Sequence, residues 1–326
     1  MDRRTFVALV AGACLLEPLP ARAQQAGKVV RIGLLFAADG PTSRSREGVE
    51  ALLSGLRELG WVEGKNLLVE TRYGGLSPQR QREVAAELKA LPVALILAFA
   101  TTAIRAARDG APGLPIVMIN AGDAVGAKFV ASLARPGGNL TGTSAAGEEI
   151  LAKQVELLSA AVPHLKRVGV LMNGANHANG FFFDAMSSRA KTLGLRLDRI
   201  DVAVEGELDE AIARAKGRAL VVVGDPMFFR NRARLVELTL RSRVPTIFGG
   251  REFVVAGGLM SYLSSNVWHW RSAARFADRI LKGAKPADMP VEQPTKFDLV
   301  INLATAKTLG ITIPPSLLQR ADEVIQ

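Results

Sequence analysis

The stretch RIGLLFAADGPTS, Arg31 to Ser43, decides the fold. Ile32, Leu34, Leu35 and Phe36 form an apolar run too short for a helix, which reads as a strand buried on both faces. Ala37, Ala38, Asp39 and Gly40 follow as a turn of small residues. REGVEALLSGLRELG, Arg46 to Gly60, then places Val49, Leu52, Leu53, Leu56 and Leu59 on one helical face, with Gly60 as the left-handed stop. A strand, a tight turn and a helix open a βαβ unit, and in an open parallel sheet that turn, at the strand's carboxyl end, is where a ligand is held.

The same rhythm extends outward. NLLVETRY, VALILAFA and LPIVMIN read as further strands, and PQRQREVAAELKAL as a helix opened by Pro78. After the Pro-Gly-Gly break in ARPGGNLTGTS it restarts, with strands RVGVLMN, LRLDRIDV, ALVVVGD and VPTIFGG alternating with helices. Two α/β halves of similar plan are expected, each a parallel sheet flanked by helices. The tail adds GGLMSYL as a strand, WHWRSAARFADRILKG as a helix, FDLVINL as a strand and two short helical pieces. Extra elements after a finished second half predict that the chain returns to the first lobe and crosses again. The expected lobes are 28–143 plus 259–290, and 144–258 plus 291–326, joined by a three-crossing hinge with the site between them.

Ahead of the first strand the sequence reads as an export leader. Arg3 and Arg4 precede a short apolar run, Val7 to Leu16, and Ala21-Arg22-Ala23 supplies a small-x-small cleavage site, so residues 1–23 form a signal peptide cut after Ala23. Arg3-Arg4-Thr5-Phe6 fits the twin-arginine pattern loosely, so Sec and Tat export both stay open. Ala11-Gly12-Ala13 before Cys14 lacks the large aliphatic residue of a lipoprotein site. Cleavage removes the single cysteine and leaves 303 of the 326 residues, so the mature chain has neither a disulfide nor a thiol nucleophile. It also lowers the formal charge from +10 to +9, because three arginines leave with two acids.

That charge is scattered, and even the Arg230, Arg232, Arg234, Arg241 and Arg243 group alternates with apolar residues as a solvated helix face does. No nucleic-acid partner is expected. Beyond the leader, no apolar run approaches the ~20 residues of a membrane helix.

The glycine patterns exclude the common nucleotide sites: no G-x-G-x-x-G follows a strand and no G-x-x-x-x-G-K-[ST] occurs. Gly142-Thr143-Ser144-Ala145-Ala146 misses the nucleophile elbow by its last glycine. His164, His177 and His269 belong to no metal-ligand array and are given structural or surface roles. No cofactor, metal or catalytic residue is expected. A hydrolase using Asp39, Asp123 or Asp225 is the weakest alternative, lacking any supporting nucleophile or metal cluster.

The strand ends offer small hydrogen-bonding groups instead. AFATTA puts Thr101 and Thr102 at a helix start, where free N–H groups and the dipole favour an anion such as a carboxylate. Ala38 and Asp39 lie in the first turn, and Asn120 and Asp123 follow strand four. Asn173, Asn176, Asp225, Arg251 and Glu252 hold the corresponding places in the second half. Phe99, Phe228, Phe229 and Tyr262 are candidates for an apolar wall. Each also has a plain structural reading, as cap, turn former or core aromatic. Carboxylates and threonines facing each other across a hinge suit a zwitterion or small acid.

Four segments, VASLARPGGNLTG, PTIFGGREFVVAGGLMSY, GLRELGWVEGKNLLVE and the tail from Asp278 to Ile325 beginning DRILKGAKPADMPVEQPTKFDLVINL, resemble the ABC transporter substrate-binding proteins known as tryptophan or tyrosine binders. The similarity runs from about Lys28 to the chain end. It implies a type I periplasmic-binding-protein fold, a monomer, a small-molecule ligand in the cleft and a membrane permease as partner. It implies contacts around Asp39, at Thr101 and Thr102, from Asn120 to Asp123, at Asn173 and Asn176, and near Asp225 and Arg251. The first turn lacks the Pro and Asn common in relatives, and AFATTA replaces a more glycine-rich form. A sensor that reports to a signalling receptor would use the same fold.

Overall fold

A computed structural model describes residues 29–175 and 179–326, with only the backbone of 179–181. The expected leader, Asn176 and His177 lie outside the described residues. The strands are β1 (Val30–Phe36), β2 (Leu67–Tyr73), β3 (Ile96–Phe99), β4 (Ile116–Ala121), β5 (Leu140–Ser144), β6 (Arg167–Asn173), β7 (Arg196–Val202), β8 (Ala219–Val222), β9 (Thr246–Phe248), β10 (Met260–Ser264), β11 (Phe297–Asn302) and β12 (Glu323–Ile325). They form two sheets. The first runs β2-β1-β3-β4-β5 and is wholly parallel. The second runs β12-β11-β10-β9-β8-β6-β7, with β10 and β11 as its antiparallel pair. Helices cover both faces of each sheet, which is why Ile32, Leu34, Leu35, Val168, Val170 and Leu171 are all buried whatever their parity along the strand.

The chain passes between the lobes three times, after β5, after β10 and before β11. One boundary differs from expectation. The strand Met260–Ser264 was expected in the first lobe, but it pairs with β9 and β11 and belongs to the second sheet. Only the helix Asn266–Leu281 and the segment after it return to the first lobe. There Thr141 Oγ1 donates to the Met289 carbonyl at 2.7 Å, Glu292 N donates to the Gly142 carbonyl, and Ser144 N donates to the Glu292 carbonyl, so the returning chain runs alongside β5. LTGTS, read as part of the break, supplies that edge strand, and a short strand, β12, follows the two terminal helical pieces.

The returning helix lies against the helix Ser43–Glu58, which is opened by a reciprocal cap between Thr42 and Ser45. Two glycines permit the approach. A Cβ on Gly48 would lie 2.2 Å from Trp270 Nε1, and one on Gly55 would lie 2.9 Å from Ala274 Cβ. Trp270 is thereby wholly buried beneath the carboxyl end of the first sheet. Register does the rest: Phe36 pairs with Tyr73 on one side and Phe99 on the other. Ring centroids lie 5.2 Å apart for Phe36–Tyr73, 5.6 Å for Phe36–Trp270 and 5.2 Å for Phe99–Trp270. Three strand ends and one helix thus build a single aromatic block at the rim of the first sheet.

Candidate functional site

A cleft of about 390 Å³ lies between the lobes, bordered by the carboxyl ends of β1, β3 and β4 and by loops and helix starts of the second lobe. This volume is that of a small-molecule site. Phe36, Phe99, Leu76, Phe182, Phe229 and Leu263 give it a mostly apolar lining.

The first lobe contributes two sharp strand exits. Ala100, directly after β3, and Asn120, in β4, both take left-handed backbone conformations, with φ of 71° and 57°. Such φ values are sparsely populated outside glycine, and here both residues line the cleft. The turn at Ala100 starts the helix Ala100–Gly110 with no connecting loop, so its first N–H groups open at the cleft. Among the described residues no side-chain cap bonds to them, the N-cap position being Phe99. Thr101 therefore does not serve as the ordinary cap; its Oγ1 accepts from Gly122 N at 3.0 Å and fixes the loop after β4. Thr102 lines the cleft beside it. The combination of uncapped N–H groups, hydroxyls and dipole favours a carboxylate.

The second lobe presents acceptors. Glu252 accepts from Arg44 of the first lobe at 2.6 Å, and the Arg44 guanidinium lies 4.7 Å over the Phe229 ring. Burial pushes the Glu252 carboxyl up, but the charge and hydrogen bond of Arg44 outweigh it and hold the group below the usual carboxylate range, so it is ionised. A hydrogen bond from its own backbone adds to the lowering, and among the described residues Oε2 has no other partner. Gln154, from the helix Gly147–Ala161, lines the same cleft at 1% exposure. Its Nε2 donates to the Tyr262 carbonyl at 2.8 Å, and its Oε1 has no partner among the described residues. Phe182 closes the inner end against two glycines, since a Cβ on Gly122 or Gly147 would lie 3.1 or 2.7 Å from its ring. Nearer the solvent, Asp39 pairs with Arg230 across the lobes.

The hinge beside the cleft is polar and buried. His269, fully enclosed on the returning helix, bonds through Nδ1 to Thr143 Oγ1 at 2.9 Å and through Nε2 to Ser264 Oγ at 2.8 Å, tying the first crossing to the second. Thr143 Oγ1 also accepts from Asn120 N at 2.9 Å, which links the hinge to the cleft. Loss of hydration, aided by the charge of Arg44, lowers the imidazole from 6.5 to about 3, so it is neutral.

Of the residues singled out in the sequence, Ala38, Asp39, Phe99, Thr101, Thr102, Asn120, Asp225 and Phe229 line the cleft. Asp225 does so while capping the helix Pro226–Arg230, accepting from Met227 N at 3.0 Å, and Asn173 Nδ2 donates to the same Oδ1 at 3.0 Å from just outside the lining. Asp123, Arg251, Tyr262 and Phe228 lie outside the lining. Asp123 bonds its own loop at Val125 N and Gly126 N. Arg251, one residue from Glu252, turns away to a bidentate pair with Glu323 on β12. Tyr262 stacks near Phe297 within the second lobe, centroids 5.7 Å apart, because β10 is a sheet strand there. Phe228 is wholly buried core. Arg230 and Arg232, read as solvated, line the cleft instead. Glu252, singled out beside Arg251, lines the cleft as well. Arg44, Gln154 and Phe182 were not singled out from pattern, since each sits inside a helix or its first turn. Among the described residues, no group of three His, Cys, Asp or Glu could hold a metal ion, and no helix is long and apolar enough to cross a membrane.

Comparison with known proteins points the same way. A tyrosine-binding protein of Clostridioides difficile strain R20291 is 24% identical over 287 residues, covering 87% of this chain and 82% of that protein. The crystal structure of a domain from Streptococcus pneumoniae in complex with L-Trp superposes with a TM-score of 0.85 at 26% identity, over 91% of this chain and 99% of that one. A conserved domain protein from Vibrio cholerae gives 0.86 at 24% identity, over 91% and 100%. The two-lobe architecture is the type I periplasmic-binding-protein fold. With the family model for ABC transporter substrate binding proteins matching residues 38–325, the chain belongs to that family of solute-binding proteins.

Proposed function

We propose that this protein is the exported solute-binding component of an ABC importer, capturing an aromatic amino acid between its lobes and delivering it to a membrane permease. The observation that carries this reading is the polarity of the cleft. The first lobe offers an uncapped helix start flanked by Thr101 and Thr102, the second an ionised Glu252, and aromatic rings lie between. A zwitterion with an apolar side chain matches all three. The names of the relatives, one tyrosine-binding and one solved with L-Trp, support the same class.

Binding has to drive closure, because a ligand shifts two states only by its difference in affinity for them. Turning a mostly open population into a mostly closed one takes ~5.5 kcal/mol. One well-buried ring at ~1.5–3 kcal/mol and two charged hydrogen-bonded ends at ~1.5–3 kcal/mol each reach that range. Thermal unfolding of the protein against a panel of amino acids, aromatic acids, purines and small peptides tests the proposal. A ligand at a hundredfold excess over its Kd adds ~2.7 kcal/mol, and Tm should rise by several degrees with tryptophan, tyrosine or phenylalanine. No rise with any amino acid, beside a rise with another compound, would refute the amino-acid assignment. Loss of labelled-ligand uptake in a deletion strain would separate transport from sensing.

A further inference from the structure

Positive charge that is scattered along the sequence is gathered by the fold at one end of the second lobe. Parallel strands start on the same side of their sheet, and β6, β7, β8 and β9 are parallel neighbours. The four loops that enter them, 162–166, 193–195, 215–218 and 242–245, hold Lys166, Lys216, Arg218 and Arg243 and no Asp or Glu. Arg167 and Arg196 are the first residues of β6 and β7 and stand opposite each other in the register. Five of these six cations are exposed, and Arg218 is half-buried. Among the ion pairs of the described residues one carboxylate answers them: Asp198 lies 2.9 Å from Arg167, 3.6 Å from Arg196 and 3.6 Å from Arg218.

Packing does not explain exposed side chains, and capping explains only the neighbours of this group. Arg189, Lys191, Arg214 and Arg241, in the last turns of the helices that run into the loops, answer the helix dipoles; the six cations lie beyond those helix ends. The matching end of the first lobe differs. Its loops into β3 and β4, LPVAL and APGLP, carry no charge, and the loop into β2 carries Glu63 beside Lys65. A surface charged for solubility alone intersperses both signs. The four loops hold no Phe, Tyr or Trp on which bases could stack, so a plane of anionic headgroups, which asks only for charge, fits this end better than a nucleic acid does. Arg218 precedes β8 and Val223, a cleft residue, follows it, so the cations lie about 15 Å from the cleft, one strand length away.

We propose that this end of the second lobe is a contact surface for an anionic phospholipid bilayer, holding the protein at the membrane and leaving the cleft open to solute. That a bilayer is within reach rests on the permease reading above. Each Lys or Arg brought to such a surface strengthens binding about fivefold, which is ~1 kcal/mol. Vesicle cosedimentation tests the contact, with the mature chain from Gln24 to Gln326, so that Arg3, Arg4 and the apolar run of the leader stay out of the assay. It should bind vesicles of phosphatidylglycerol mixed with phosphatidylcholine and not phosphatidylcholine alone. Release should follow between about 0.1 M and about 1 M salt, as the Debye length shrinks from ~10 to ~3 Å. The triple variant Lys166→Gln, Lys216→Gln, Arg243→Gln should bind the anionic vesicles about a hundredfold more weakly at the native Tm. Removing the same charge from the first lobe, with Arg57→Gln, Lys65→Gln and Lys285→Gln, should leave binding as in the native chain. Equal loss in both triple variants would reduce the effect to net charge and overturn the proposal. So would equal binding to neutral vesicles, binding that survives the higher salt, or a tighter hold on duplex DNA than on the anionic vesicles. No solute enters the assay, so its failure leaves the solute-binding reading in place.

Discussion

Replacing His269 by glutamine probes the hinge through pH. The imidazole is enclosed between Thr143 and Ser264, and its pKa falls from 6.5 to about 3 because burial, and after it the charge of Arg44, disfavour the charged form. In the unfolded chain the same group titrates near its ordinary value. Between those two values the unfolded state binds more protons than the folded one, so stability increases with pH there and is lost as pH falls through 6.5 toward 3. The slope approaches about 1.4 kcal/mol per pH unit. From about pH 7 to about pH 4.5 the folded protein should lose about 2 to 3 kcal/mol through this one residue. Urea unfolding of the native protein and of His269→Gln across that range measures it. Glutamine keeps a donor and an acceptor for the two hydroxyls but cannot titrate. The native midpoint should therefore fall by about 1 M more than that of the variant. Parallel loss in both proteins would refute the claim that the hinge holds a neutral imidazole.

Two further substitutions separate fold from site. Gly48→Ala puts a methyl group 2.2 Å from Trp270 Nε1 and 2.3 Å from Cε2, an overpacking that should cost ~1–3 kcal/mol; an unchanged Tm would show that the two helices have room to part. Thr102→Val removes a cleft hydroxyl that has no side-chain hydrogen bond among the described residues. It should weaken L-tryptophan binding by about 3- to 10-fold at constant Tm, and unchanged affinity would move the carboxylate away from this helix start.

The sequence carried the site as far as strand ends carry it. Asp39, Thr101, Thr102, Asn120 and Asp225 were legible because each follows a short apolar run, and the exits of parallel strands converge on one edge of a sheet. Arg251 and Glu252 mark the limit of that reasoning. They are neighbours in the chain, yet successive positions on a helix point about 100° apart, so one pairs with β12 while the other meets Arg44 in the cleft. Gln154 was hidden for a related reason: on its helix it occupies a position of the buried stripe, and no local pattern tells a polar residue facing a cleft from one facing solvent.

What the sequence determined by itself was the order and kind of the elements, two α/β halves and a return, because 3.6- and 2-residue periodicities are local properties of the chain. Only the tertiary structure decided which sheet takes Met260–Ser264, which glycines bring Trp270 beneath the rim, and which charges meet across the hinge. Those outcomes rest on hydrogen bonds and packing between residues far apart in the chain, 208 positions for Arg44 and Glu252, and such pairings leave no mark in the local pattern of either partner.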